Sequence, residues 1–156
     1  METMIENVRT FNAPEIHLCY NREFNPSELP VLNKSDDVYA LLLEIWDRDQ
    51  LQIREDFKVI LLNHNSRVLG IYNHTSGGIA GTVCDVRLIM ASALKSLATG
   101  IVLAHNHPSG NLEPSKADRF LTAKLADACR LFDISLLDHF IISKESYYSF
   151  SKNGEL

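Results

Sequence analysis

Cysteine is scarce in this 156-residue chain. The three present, Cys19, Cys84 and Cys129, are odd in number, widely scattered and never spaced as CxxC. That argues against a disulfide framework and against a cysteine-based zinc or redox site, so a reducing cytoplasm is the expected compartment. Long apolar runs are also missing. No segment of about 18 uncharged apolar residues exists, so no transmembrane helix is expected. The opening METMIENVRTF lacks the apolar centre of a signal peptide. Basic charge is in deficit, with 15 Lys and Arg against 20 Asp and Glu and a net charge of −5. Phosphate contacts need clustered cations, which makes nucleic acid a doubtful partner. What remains is ordinary: 46% hydrophobic and 22% charged residues exclude disorder. The length suits one domain, burying roughly 70% of its unfolded surface. Nothing in the sequence marks an oligomeric state.

Three of the five prolines (Pro14, Pro26, Pro30) fall in the first 34 residues, read here as an N-terminal extension. Within it EIHLCY (15–20) alternates polar and apolar residues and predicts a short strand near an edge, followed by a loop, NREFNPSELP. Ser35 precedes DDVYALLLEIW, which predicts a capped helix over about 36–48. FKVILL and RVLGIYNH, joined by the turn NHNS, predict a β-hairpin. Gly77, Gly78 and Gly81 mark a bend. Asp85 is placed to cap a helix over VRLIMASALKSLA, with Gly100 closing it. IVLAHNH reads as a short buried strand, Pro108 to Pro114 as a polar loop, and Ser115 as the start of a helix reaching about Phe132. LLDHFIIS and YYSF close the domain as strands, leaving 151–156 as a tail. The order β, α, β, β, α, β, α, β, β predicts an α/β fold of mixed α+β type, a mixed sheet flanked by helices.

The chemistry concentrates in one stretch, HNHPSGNLEPSKAD, residues 105–118. On a strand, His105 and His107 share a face. Asp118 falls in the first turn of the next helix, three residues after Ser115. Two imidazoles, one carboxylate and an open fourth position make a catalytic rather than a structural zinc site. Each half has an ordinary explanation, since HxH arises often and SxxD is a common helix cap. Together they arise by chance on the order of once in a thousand.

HxH, seven residues, then SxxD resembles the signature of the JAMM (JAB/MPN) metalloprotease family. The strings AHNHPSG, PSKAD and DISLLDHFII are similar to its RadC branch, over about residues 35–150. The resemblance implies a β-sheet between helices, a three-layer arrangement related to the cytidine deaminase fold. It also implies zinc (Zn2+) held by His105, His107 and Asp118, with Ser115 beside the zinc-bound water and the developing oxyanion. The family's general base is a glutamate at a strand start, and Glu55, just before DFKVILL, is similar in setting. Asp56 has the opposite strand register, so only one of the two acids serves. RadC-type proteins carry an N-terminal helix-hairpin-helix region, for which the 34 residues before Ser35 leave no counterpart, so a DNA-repair role is not expected to carry over.

The expected activity is zinc-dependent hydrolysis of a peptide or isopeptide bond. The competing reading is a DNA-repair-associated or protein-interaction accessory domain without peptidase activity, and a small-molecule amidase or phosphoesterase is a third. Nucleobase deamination is disfavoured because no PCxxC follows the HxH. Asp138 and His139 either orient a ligand imidazole or sit as satisfied polar groups in a buried strand. His17, His64 and His74 show no ligand spacing. Cys84 and Cys129 are expected in the core.

Overall fold

Period-two alternation sends Phe57, Val59 and Leu61 to one face of a strand and Ile60 and Leu62 to the other, and both sets are buried. A strand apolar on both faces needs cover on both sides. The computed structural model describes residue 25, residues 28–79 and residues 81–156. The strand expected over 15–20, together with His17 and Cys19, lies outside the described residues.

The elements run α1 (Ser35–Ile45), β1 (Asp56–Leu62), β2 (Val68–Ser76), α2 (Val86–Lys95), β3 (Gly100–Asn106), α3 (Lys116–Leu131), β4 (Ser135–Ile142) and β5 (Tyr147–Ser149). The sheet order is β2-β1-β3-β4-β5, with β3 and β4 parallel and the other pairs antiparallel. The parallel pair is bridged by α3, as a parallel connection requires a crossover. Leu42 of α1 and Trp46 just beyond it join Ile60, Val102 and Phe140 in one core. Ile89 and Ala93 of α2 and Leu125 and Cys129 of α3 join Val59, Leu103 and Phe57 in the other. The expected mixed sheet between helical layers is what forms.

Several boundaries differ from those predicted. The first helix begins at Ser35 rather than after it, because the Asp37 carboxylate accepts from the backbone N–H groups of Asn33 and Lys34 at 3.0 and 3.2 Å and moves the cap position to Lys34. It ends at Ile45, where Trp46 turns extended and buries its ring. The second helix stops at Lys95, short of Gly100. Leu97 takes the left-handed conformation (φ 56°) and the Ala98 N–H reaches back to the Ala93 carbonyl at 3.0 Å, closing the helix without glycine. Gly100 instead opens β3. Asp133 (φ 54°) ends α3 in the same way, with Ile134 N–H on the Cys129 carbonyl at 3.0 Å. The residues after β5 fold back on the domain, where Glu155 pairs with Arg119 at 2.8 Å.

Candidate metal centre

Two strand registers and one helix cap bring the site together. In β3, Ile101, Leu103 and His105 face α2 and α3, while Val102, Ala104 and Asn106 face the α1 side. His105 is therefore carried into the interior, 1% exposed, at the end of β3 where α3 begins. His107 lies two residues on, at the cleft. Ser115 caps α3: its hydroxyl oxygen accepts the Asp118 N–H at 3.1 Å, and its own N–H donates to Asp118 Oδ2 at 2.7 Å. The capping box is thus also what aims the Asp118 carboxylate. The ordinary and the functional explanations of SxxD describe one geometry.

His105 Nε2 and His107 Nε2 lie 3.0 Å apart, His105 Nε2 is 3.3 Å from Asp118 Oδ1, and His107 Nε2 is 3.5 Å from Asp118 Oδ2. A tetrahedral zinc ion with bonds of 2.0–2.1 Å separates its ligand atoms by about 3.3 Å. The two ring nitrogens, and each nitrogen with one of the two Asp118 oxygens, stand near that spacing, so the donor set fits the ion. His107 Nδ1 sits 2.6 Å from the Asn111 carbonyl, which only accepts, so Nδ1 carries a hydrogen and the neutral ring presents its Nε2 lone pair to the cluster. Among the described residues this is the cluster of His, Cys and acidic side chains that can hold a metal.

Charges follow the same logic. Burial pushes the Asp118 carboxyl up, but contacts with His105, His107 and Ser115 outweigh it and hold the group well below the usual carboxylate range. Contact with Asp118 raises His107 against the opposing effect of burial. Asp118 is therefore ionised and ready as a ligand.

Glu55 is brought to the same place by register. β1 and β3 run antiparallel with Phe57 opposite His105, and two residues further along that register Glu55 falls across from His107. Glu55, His107, Ser115 and Asp118 line one cleft of about 420 Å³, with Thr82, Ile79 and Pro108. The Thr82 backbone N–H donates to the Glu55 carboxylate. The bend that supplies it is tied on by Glu55 N–H to Gly78 carbonyl (3.0 Å) and Gly77 N–H to Glu55 carbonyl (2.7 Å). Gly77 is required there, since a Cβ would lie 2.5 Å from the Gly81 oxygen. Burial raises the Glu55 pKa, with His105 and His107 pulling it back. Asp56 points elsewhere: it is buried and its carboxylate meets Arg54 Nε at 3.0 Å.

Asp138 and His139 part company. The Asp138 carboxylate accepts from Ser149 Oγ (2.5 Å) and Ser151 N–H (3.0 Å), away from the cluster, whereas His139 Nε2 lies 2.9 Å from His105 Nδ1. His139 is fully buried, and that burial lowers its pKa well below the ordinary value. Thr122, 2.6 Å from the other His139 nitrogen, and Asn106 were not singled out by sequence. Asn106 reads there as the spacer of HxH, though alternation already places it on the opposite face. Cys129 is core and Cys84 packs partly buried against it. His74 accepts the Asp85 N–H at 2.9 Å at the start of α2.

A three-layer domain with an HxH pair at the end of a central strand and an aspartate in the capped first turn of the following helix defines the JAB/MPN class. More narrowly, the chain belongs to the RadC-like JAB domain family, whose model matches residues 32–155. It is similar to a UPF0758 protein of Flavobacterium johnsoniae, 46% identical over 100 residues, covering 64% of this chain and 44% of that protein. It is also similar to a UPF0758 protein of Porphyromonas gingivalis, 42% identical over 104 residues, covering 66% and 46% of the two chains. The match spans less than half the length of these relatives. JAB domains are often metal-dependent hydrolases, and the His-His-Asp cluster here can hold a metal. Among the described residues no helix is long and apolar enough to cross a membrane.

Proposed function

We propose that this domain is a zinc-dependent hydrolase of peptide or isopeptide bonds, acting in the cytoplasm. The observation that carries the reading is a partly buried glutamate, Glu55, in the same cleft as His107 and Asp118 with its pKa raised. A merely structural metal site has no need of such a base.

His105, His107 and Asp118 would hold the ion. When bound, zinc supplies Lewis acidity and brings the pKa of water from 15.7 to about 7. Glu55 accepts the proton of the attacking water and returns it to the departing amine nitrogen, so that a C–O bond forms as the C–N bond breaks. Its raised pKa favours both transfers near neutrality, because it lies closer to the operating pH. The Thr82 N–H keeps the carboxylate directed. Ser115 uses its oxygen to accept the cap bond from Asp118, which leaves its O–H free to donate to the developing oxyanion.

The test compares wild type, His107→Ala and Glu55→Gln after dialysis and zinc reconstitution, with metal content and cleavage of a mixed peptide and isopeptide library as readouts. About one zinc per chain is expected in wild type and Glu55→Gln, with cleavage by wild type alone; His107→Ala loses both. Cleavage by Glu55→Gln at the wild-type rate removes Glu55 as the base. A zinc-loaded wild type that cleaves no amide overturns the peptidase reading.

A further inference from the structure

The metal ligand His105 has its second nitrogen engaged by another histidine rather than by the carboxylate or carbonyl that usually orients such a ring. His105 Nδ1 is 2.9 Å from His139 Nε2, His139 Nδ1 is 2.6 Å from Thr122 Oγ1, and Thr122 Oγ1 is 2.6 Å from the Asp118 backbone carbonyl. The direction of the chain is set at its far end. A carbonyl only accepts, so the Thr122 hydroxyl spends its hydrogen on Asp118. Thr122 Oγ1 then accepts from His139 Nδ1–H. That leaves His139 Nε2 as a lone pair, which accepts from His105 Nδ1–H. His105 Nε2 is consequently bare and faces His107 Nε2 and Asp118.

The chain is closed as well as directed. It leaves β3 at His105, crosses β4 at His139, enters α3 at Thr122 and ends on the backbone of Asp118, whose own carboxylate stands 3.3 Å from His105 Nε2. Phe57 stacks on His105 (5.8 Å between centroids, 10°) and Phe150 on His139 (4.8 Å, 13°). His105, His139, Thr122, Phe57 and Phe150 are each 2% exposed or less. That burial shields the His105–His139 and His139–Thr122 contacts from competing water.

We infer that His139 and Thr122 are positioning residues that lock His105 in the Nδ1–H tautomer and couple it to Asp118, presetting two of the three metal ligands before any ion arrives. The inference rests on the metal-site reading above. Asp138, the more obvious orienting acid in the sequence, meets the His139 backbone N–H at 2.7 Å rather than the ring.

The test separates the two claims by reading the tautomer without metal. In zinc-free protein at about pH 8, above the ordinary histidine value of about 6.5, long-range 15N–1H correlation spectra of the histidine rings should show His105 and His139 protonated on Nδ1. Thr122→Val, nearly isosteric, removes the acceptor and should shift both rings toward the Nε2–H form. Zinc affinity should fall about 10- to 100-fold in Thr122→Val and in His139→Leu. His139→Gln, whose amide oxygen accepts from His105 while its NH2 donates to Thr122, should restore most of it. An Nε2–H His105 in the wild-type spectrum overturns the inference. So does a folded Thr122→Val that binds zinc within twofold of wild type with unchanged tautomers. If His139→Leu does not fold, Thr122→Val and His139→Gln still decide. Failure of wild type to bind zinc strikes at the metal reading alone, because the tautomers are measured in its absence.

Discussion

The side-chain oxygen of Asn106 accepts the backbone N–H of Asp56 at 2.9 Å, across a sequence separation of 50 residues. The same amide donates to the carbonyls of Leu51 (2.7 Å) and Arg54 (2.9 Å). Asn106, fully buried between the two candidate ligand histidines, thus clamps the segment that carries Glu55 against the strand that carries His105. Candidate metal ligands and proposed base are held in register by one side chain on the opposite face of the sheet.

Asn106→Ala leaves three backbone groups without their buried partner. Unfolding in urea should show a loss of about 3 kcal/mol, the range for orphaned buried polar groups. Because the clamp holds Glu55 and not the ligands directly, hydrolysis should fall more than zinc stoichiometry. A change in stability below about 0.5 kcal/mol is the size of an ordinary surface substitution and would show that the clamp carries no strain.

The pH dependence follows from Glu55, whose pKa is raised above 4.5 by burial, His105 and His107 opposing. As a proton acceptor it works only when ionised, so the acid limb of kcat/KM should fall as pH drops through a value above 4.5. The stability linkage has the opposite sense. A raised native pKa means that the folded state holds the proton more tightly, so this group's contribution is complete below 4.5 and is lost as pH rises through the native value. Metal-free Glu55→Gln should therefore be more stable than wild type near pH 8, with the advantage vanishing toward pH 4.5. Equal thermal stability of the two proteins at both pH values would contradict this.

Burial pushes the Cys84 thiol up to about 12 and the Cys129 thiol up to about 11. The thiolate is the nucleophile, so at about pH 8 both should react with iodoacetamide roughly a hundredfold or more slower than a free cysteine of pKa about 8.5. A Cys19→Ser background makes the count clean. Mass spectrometry should find no label on the native protein and two labels after denaturation. Rapid native labelling of Cys84 would mean that the packing around it opens.

Leu97 holds a left-handed backbone and is 70% exposed, so it carries the steric cost of that conformation with little packing in return. Leu97→Gly should raise stability by about 1 kcal/mol, seen as a higher urea midpoint at unchanged slope. Asp133→Gly should gain less, because aspartate tolerates this region better. Destabilisation by Leu97→Gly would place weight on contacts of the leucine side chain.

Apolar periodicity, short apolar runs, caps and turn residues located every described helix and strand, because each is a local property that survives any arrangement of the elements. The HxH pair and the SxxD cap were legible for the same reason: their partners are at most a turn or a pleat away. The donor types there marked a group that could hold a metal, and the fold brings that group together. Helix ends were less legible, since Leu97 and Asp133 do what glycine usually does and only the i−5 backbone bonds behind them reveal it. Tertiary structure decided the rest. That Glu55 rather than Asp56 reaches the cleft, that Asn106 is a clamp rather than a spacer, and that His139 rather than Asp138 meets His105 all depend on strand order and register. Those are set by packing between segments tens of residues apart, and no local pattern encodes which residue will lie across from which.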